Sequence, residues 1–118
     1  MQIFHDPTDL PADYGATVLS VGNYDGVHLG HRFLLARVVE GARSLHARSV
    51  AVTFDPHPTH LLRPGAGPRL ITPTIGERLD LLATTGIDAT VVLPFTAEFS
   101  QQSAETFARS VLLERLHA

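Results

Sequence analysis

The sequence predicts an α/β fold built on a parallel sheet. Two observations carry that prediction. Short β-branched runs alternate with longer amphipathic ones, the grammar of βαβ units, and no internal repeat or low-complexity tract interrupts them. One of the short runs, SVAVTF from Ser49 to Phe54, is nearly continuous in apolar or β-branched residues, as a strand covered on both faces would be.

The first unit is a strand over Thr17–Val21, a glycine turn, and a helix from Leu29 to about His46. Phe33, Leu34, Val38 and Ala42 recur on that helix at core-facing spacing. The strand Ser49–Phe54 follows directly. Next comes DPHPTHLLRPGAGPRLI, whose four prolines and two glycines exclude regular structure and imply a long loop, a kind of segment that often carries function. Thr72 stands before Pro73 as an N-cap stands before a first-turn proline. It opens a helix with Ile75, Leu79, Leu82 and Ala83 on one side that stops at Gly86. ATVVLPF, Ala89–Phe95, is the third strand. Ser103 caps a last helix carrying Phe107, Val111, Leu112 and Leu116. Three parallel strands joined by crossovers are the expected result.

Bulk composition narrows the function classes. A chain of 118 residues, 44% hydrophobic, is the size of one domain with a modest core. Its formal charge of -3 and the lack of a basic run disfavour nucleic-acid and membrane-surface partners. There is no cysteine, so neither a disulfide nor a thiolate metal site can form. The N-terminus MQIFHDPTDLPADYG has acidic residues and prolines where a secretory signal needs a basic start and an apolar stretch. No run approaches a membrane span. A cytoplasmic protein is expected.

Ligands of open parallel sheets bind at the carboxyl ends of the strands, and two unusual segments fall there. GNYDGVHLGH, Gly22–His31, follows the first strand, and DPHPTH, Asp55–His60, follows the second. If the two strands are neighbours, both loops share one rim. Gly22 and Gly26 permit close ligand approach or positive φ, and Asn23 and Asp25 suit a tight turn. His28 and His31 open the next helix, where unpaired N–H groups and the helix dipole already favour an anion. Imidazoles beside those groups would bind phosphate oxygens, and would bind more strongly the charge that builds during attack on phosphorus. Gly30 between them leaves room for a nucleotide. Any one of these histidines is also explained by covering a helix terminus; the combination favours phosphate. A zinc site from the pairs His28/His31 and His57/His60 is disfavoured, because a helix start and a proline loop fix a tetrahedral cage poorly. Asp55 fits a ligand contact or the turn before Pro56 equally well. His60 has no assigned role. His5, His46 and His117, and the arginines at 32, 37, 43 and 48, read as solvated positions.

GNYDGVHLGH resembles the GxFDGxHxGH signature of the adenylyltransferase module of bacterial FAD synthetases, the bifunctional riboflavin kinase/FMN adenylyltransferases. HxGH alone marks the wider nucleotidyltransferase superfamily. TFDPHP (Thr53–Pro58) resembles that family's TFxPHP flavin loop, RLITP its RLTT segment, and FTAEFSQQSAETF its FDxxFAxLSxExF stretch. The resemblance implies a Rossmann-like nucleotidyltransferase domain over residues 1–118 that transfers AMP from ATP to FMN with Mg2+, giving FAD and pyrophosphate. By resemblance His28 and His31 are the catalytic pair that holds the triphosphate. Gly22, Asn23, Tyr24, Asp25 and Gly30 shape the ATP pocket, and Pro56, His57 and Pro58 lie beside the isoalloxazine. Tyr24 replaces the usual Phe, a change expected to matter only if its hydroxyl is buried without a partner.

In the family a VVGxDFxFG strand, an SSTxIR motif and a riboflavin kinase domain follow the LLERLHA-like helix. None is within these residues, so the chain is expected to be truncated after the third β-α unit. On that expectation it exposes apolar surface, self-associates and transfers no AMP alone. The alternatives are another HxGH adenylyl- or cytidylyltransferase, or a non-catalytic ATP-binding fragment.

Overall fold

The structure, a computed structural model, describes residues 1–22, 24, 29–55, 75–94 and 103–117, with the backbone alone at 29, 30, 104 and 114. Four strands form one parallel sheet: β1 (Gln2–Phe4), β2 (Thr17–Val21), β3 (Arg48–Asp55) and β4 (Ala89–Pro94), in the order β1-β4-β3-β2. Three of them are the strands expected from the sequence. The fourth, β1, is an addition to the expected three. Its QIF run is too short to show a period, and only its pairing with β4, Gln2 opposite Ala89 to Phe4 opposite Val91, makes it a strand.

β2 and β3 are neighbours in register from Thr17 opposite Arg48 to Val21 opposite Val52. β3 continues beyond β2 and pairs with β4 from Val50 opposite Ala89 to Asp55 opposite Pro94. The carboxyl ends of all three therefore lie along one rim.

Alternation along the strands builds two apolar layers. Val50 and Val52 of β3 and Ala89, Val91 and Leu93 of β4 pack with Leu10, Tyr14, Val111 and Leu116 on one side. Ala51 faces the other way, among Tyr24, Leu35, Val38, Leu82 and Ile87. Helices α1 (Leu29–Ser44) and α2 (Ile75–Ala83) cover that second side. The C-terminal helix α3 (Ala104–Phe107) continues as the wider winding of a π-helix over Ala108–Arg115 and covers the first.

Chain ends of the helices follow from local chemistry. At α1, Ala47 N donates to Ala42 O at 2.8 Å and His46 N to Arg43 O at 3.2 Å, closing the helix with His46 in the left-handed region at φ 54. At α2 the hydroxyls of Thr84 and Thr85 bond Leu81 O and Leu82 O at 2.6 Å, and Gly86 at φ 84 turns the chain out. Ser103 caps α3 as expected, its Oγ accepting from Thr106 N at 3.1 Å. Thr72 and Pro73, the expected opening of α2, and Phe95, the expected end of β4, lie outside the described residues. The C-terminal helix finishes against the start of β2, where Thr17 N donates to His117 O at 3.1 Å and Thr17 Oγ1 to Leu116 O at 2.6 Å.

Three side-chain expectations are corrected. On α1 the inward stripe is Leu35, Val38 and Ala42; Phe33 is 68% exposed, with the Arg37 guanidinium 6.0 Å from its ring, and Leu34 is exposed. On α2 Ala83 is exposed, while Arg78 joins Leu82 in the interior. His117 is half-buried, with Nδ1 3.1 Å from Gly15 O, whereas Arg48 is exposed as expected, its guanidinium 4.2 Å over the Tyr14 ring. On both helices the apolar spacing gives the helix correctly, but the neighbouring layer selects which side faces in.

Candidate functional site

The expected site residues divide into those the structure places and those outside it. Gly22, Tyr24, Gly30 and His31 are placed, Gly30 by its backbone only. Asn23, Asp25, His28, Pro56, His57, Pro58 and His60 lie outside the described residues.

Gly22 leaves β2 with its N–H donating to Val52 O at 2.9 Å, so the ladder to β3 extends one residue past the strand. Tyr24 stands in the left-handed region at φ 53 and turns its ring inward, where it is 1% exposed. That ring lies against Gly22: a Cβ at Gly22 would stand 3.2 Å from Tyr24 Cζ and 3.3 Å from Cε1. On the helix side the ring meets His31 edge to face, centroids 5.3 Å apart and planes at 74°. His31 is half-buried in the first turn of α1, the third residue of the helix. Gly22, Tyr24 and His31 thus form one stack between the end of β2 and the beginning of α1.

The Tyr24 hydroxyl is buried with no hydrogen-bond partner among the described residues. Burial raises its pKa above the usual tyrosine value, and the nearby Ser20 side chain offsets this only in part. The Tyr-for-Phe change therefore buries a hydroxyl whose described polar neighbour is the Ser20 side chain.

Sequence reasoning missed Arg78. This side chain from α2 is 2% exposed, and its Nη1 donates to Thr53 Oγ1 at 3.0 Å and to Phe54 O at 2.8 Å. It ties the helix to the last residues of β3, immediately before the segment beginning at Pro56. A signal was present: Arg78 occupies the i+3 place in the stripe Ile75, Leu79, Leu82, where an outward-facing cation is not expected.

Among the described residues no three His, Asp or Glu side chains converge as a metal site. Asp55, exposed at the end of β3, is the described carboxylate at the ends of β2, β3 and β4.

A parallel sheet in which β2 leads through Gly22 and Tyr24 toward the N-terminus of α1, with an imidazole in that helix's first turn, has the layout of the class of open α/β domains whose ligands bind at the strand ends. The comparisons make this specific. The chain belongs to the FAD synthetase family, whose model matches residues 10–118.

Relatives include the bifunctional riboflavin kinase/FMN adenylyltransferase of Buchnera aphidicola subsp. Schizaphis graminum, 32% identical over 101 residues, spanning 86% of this chain and 32% of that protein. The Escherichia coli K12 protein of the same name is 33% identical over 99 residues, 84% of this chain and 31% of that protein. A putative one from Geobacillus thermodenitrificans is 36% identical over 95 residues, 80% of this chain and 51% of that protein. The chain spans about a third of the length of the first two and half of the third. A solved Streptococcus pneumoniae chain, described as a macrolide-efflux protein, superposes with a TM-score of 0.71 at 27% identity, covering 91% of this chain and 36% of that one. Among the described residues no helix is long and apolar enough to cross a membrane.

Proposed function

We propose that this chain is the FMN adenylyltransferase module of an FAD synthetase, transferring AMP from ATP to FMN to give FAD and pyrophosphate. The observation that carries the reading is the stack of Gly22, Tyr24 and His31 at the joint between β2 and α1, beside the end of β3, within a chain of the FAD synthetase family.

In this reading the FMN phosphate is the nucleophile. An FMN phosphate oxygen forms a bond to the α-phosphorus of ATP, the bond to the bridging oxygen breaks, and pyrophosphate leaves with the electron pair. The attacking group is already anionic, so no side chain need remove a proton. Positioning and charge neutralisation are the protein's contribution. N–H groups at the start of α1, with His28 and His31, hold the triphosphate and take up the charge that develops on it. Arg78 supports the neighbouring strand end through Thr53 and Phe54. Pro56, His57 and Pro58 receive the flavin. A Mg2+ ion would be held chiefly by the nucleotide's phosphates and would supply charge neutralisation when bound, with Asp55 the carboxylate at the strand ends among the described residues. Riboflavin kinase activity, named in the relatives, belongs to length that these residues do not span.

The experiment is FAD formation from FMN, ATP and Mg2+, followed by chromatography, with the 118-residue chain and with a longer reading frame should one continue beyond Ala118. FAD formation by either supports the reading. Binding of ATP without FMN in both, and no FAD, supports the non-catalytic reading. Turnover of a different phosphorylated acceptor would identify another nucleotidyltransferase.

A further inference from the structure

By resemblance Gly22 and Tyr24 are contacts to ATP, yet their geometry gives them a different task. Tyr24 is buried in the layer of Leu35, Val38, Ala51, Leu82 and Ile87, so it presents almost no surface to a ligand. The ring reaches that place only because its backbone adopts φ 53, a conformation unusual for a bulky residue, and because Gly22 lacks the Cβ that would stand 3.2 Å from the ring. What the ring touches on the helix side is His31, edge to face at 5.3 Å.

We infer that Gly22 and Tyr24 are positioning residues that act on adenylyl transfer through His31: the glycine leaves the space, the ring fills it, and the ring sets the plane of the imidazole at the start of α1. The inference rests on the reading of His31 as a phosphate-facing group. Rotation of a histidine about its outer torsion is broad, so the backbone of a helix's first turn does not by itself aim the imidazole. A fixed aromatic neighbour does, through the preference of aromatic rings for edge-to-face contact. Because the platform is anchored in the core, the imidazole is oriented before any ligand arrives. The aromatic ring, and not its hydroxyl, performs this task.

The test uses Tyr24→Leu, Tyr24→Phe and Gly22→Ala in the 118-residue chain. The carbon-bound imidazole hydrogens of His31 are followed by NMR, assigned with His31→Gln, and folding is checked by circular dichroism and urea melting. In the parent protein these resonances carry a ring-current displacement, which Tyr24→Phe retains. Tyr24→Leu, while folded, moves them toward those of the exposed His5 and His46. Gly22→Ala moves them part of the way, because its Cβ displaces the ring by a few tenths of an ångström.

In whichever length of the protein forms FAD, Tyr24→Leu lowers kcat by about 10- to 100-fold, the scale of a small misplacement of a catalytic group. The KM for FMN stays near that of the parent, and Tyr24→Phe restores the rate. A folded Tyr24→Leu protein with unmoved His31 resonances overturns the inference. If Tyr24→Leu does not fold, Gly22→Ala decides: unmoved resonances in that folded variant overturn it equally. Absence of FAD formation in the parent protein counts against the adenylyltransferase reading, while the resonances still decide the positioning.

Discussion

Replacing Tyr24 by Phe should stabilise the protein and change how it responds to alkali. The hydroxyl lies in an interior layer with no well-formed hydrogen bond among the described residues and only the Ser20 side chain beside it, so folding strips its water and returns at most a weak bond. Leaving a buried polar group unpaired costs about 1–3 kcal/mol, and the neighbouring Ser20 side chain places this case at the low end. Removing the oxygen should therefore gain about 1 kcal/mol, or about 4 °C in Tm for a chain of this size.

The pH dependence follows from the same burial. Tyr24 keeps its proton to higher pH in the folded state than in the unfolded one, where it titrates at the ordinary value near 10. Above that pH the unfolded chain has lost a proton that the native state retains. Stability then falls with rising pH, at up to about 1.4 kcal/mol per unit, until the folded-state pKa is passed. The loss is absent below the ordinary value.

Composition makes the effect readable, because the chain has no lysine and no cysteine to titrate beside it. Tyr14 remains in both proteins, so their difference reports Tyr24 alone. Urea melts of parent and Tyr24→Phe from pH 7 to 11.5 provide the assay. The two stability curves should separate further above pH 10, with Phe the higher throughout. Equal stability at pH 7, or curves that converge in alkali, would refute the account of a dry, unpaired hydroxyl.

Removal of the Arg78 guanidinium by Arg78→Met should cost about 2–4 kcal/mol in a urea melt, since Thr53 Oγ1 and Phe54 O lose a charged donor in a buried setting. Lysine at that position should recover part of this, having the charge but not the fork. His46→Gly should stabilise by about 0.5–1 kcal/mol, because the residue closing α1 is held at φ 54 with its side chain exposed; thermal melting checks it. Alanine at His28 or His31 should lower FAD formation by about 10²-fold or more with little change in Tm, as loss of a transition-state donor does. Near-parental activity in both would return these histidines to the role of covering a helix terminus.

What can be read from the sequence alone is what depends on near neighbours along the chain. β3 announces itself in SVAVTF because a strand buried on both faces needs no polar alternation, and the structure extends it by one residue at each end, Arg48 and Asp55. Ser103 is legible because a cap is a contact across three residues, made here with Thr106. The GNYDGVHLGH motif is equally local, and the family follows from it with three others in order. Tertiary structure alone decided the rest. β1 exists only through pairing with residues some 87 positions away, Gln2 with Ala89. Whether Phe33 or Leu35 turns inward depends on where α1 rests on the sheet, because both fit an apolar helical stripe and a small rotation exchanges them. Packing likewise decided what Arg78 and Tyr24 do, although the apolar stripe of α2 already marked Arg78 as out of place. A guanidinium becomes a strand clamp, and a tyrosine ring becomes a platform for an imidazole, only when packing from distant segments removes the water around them.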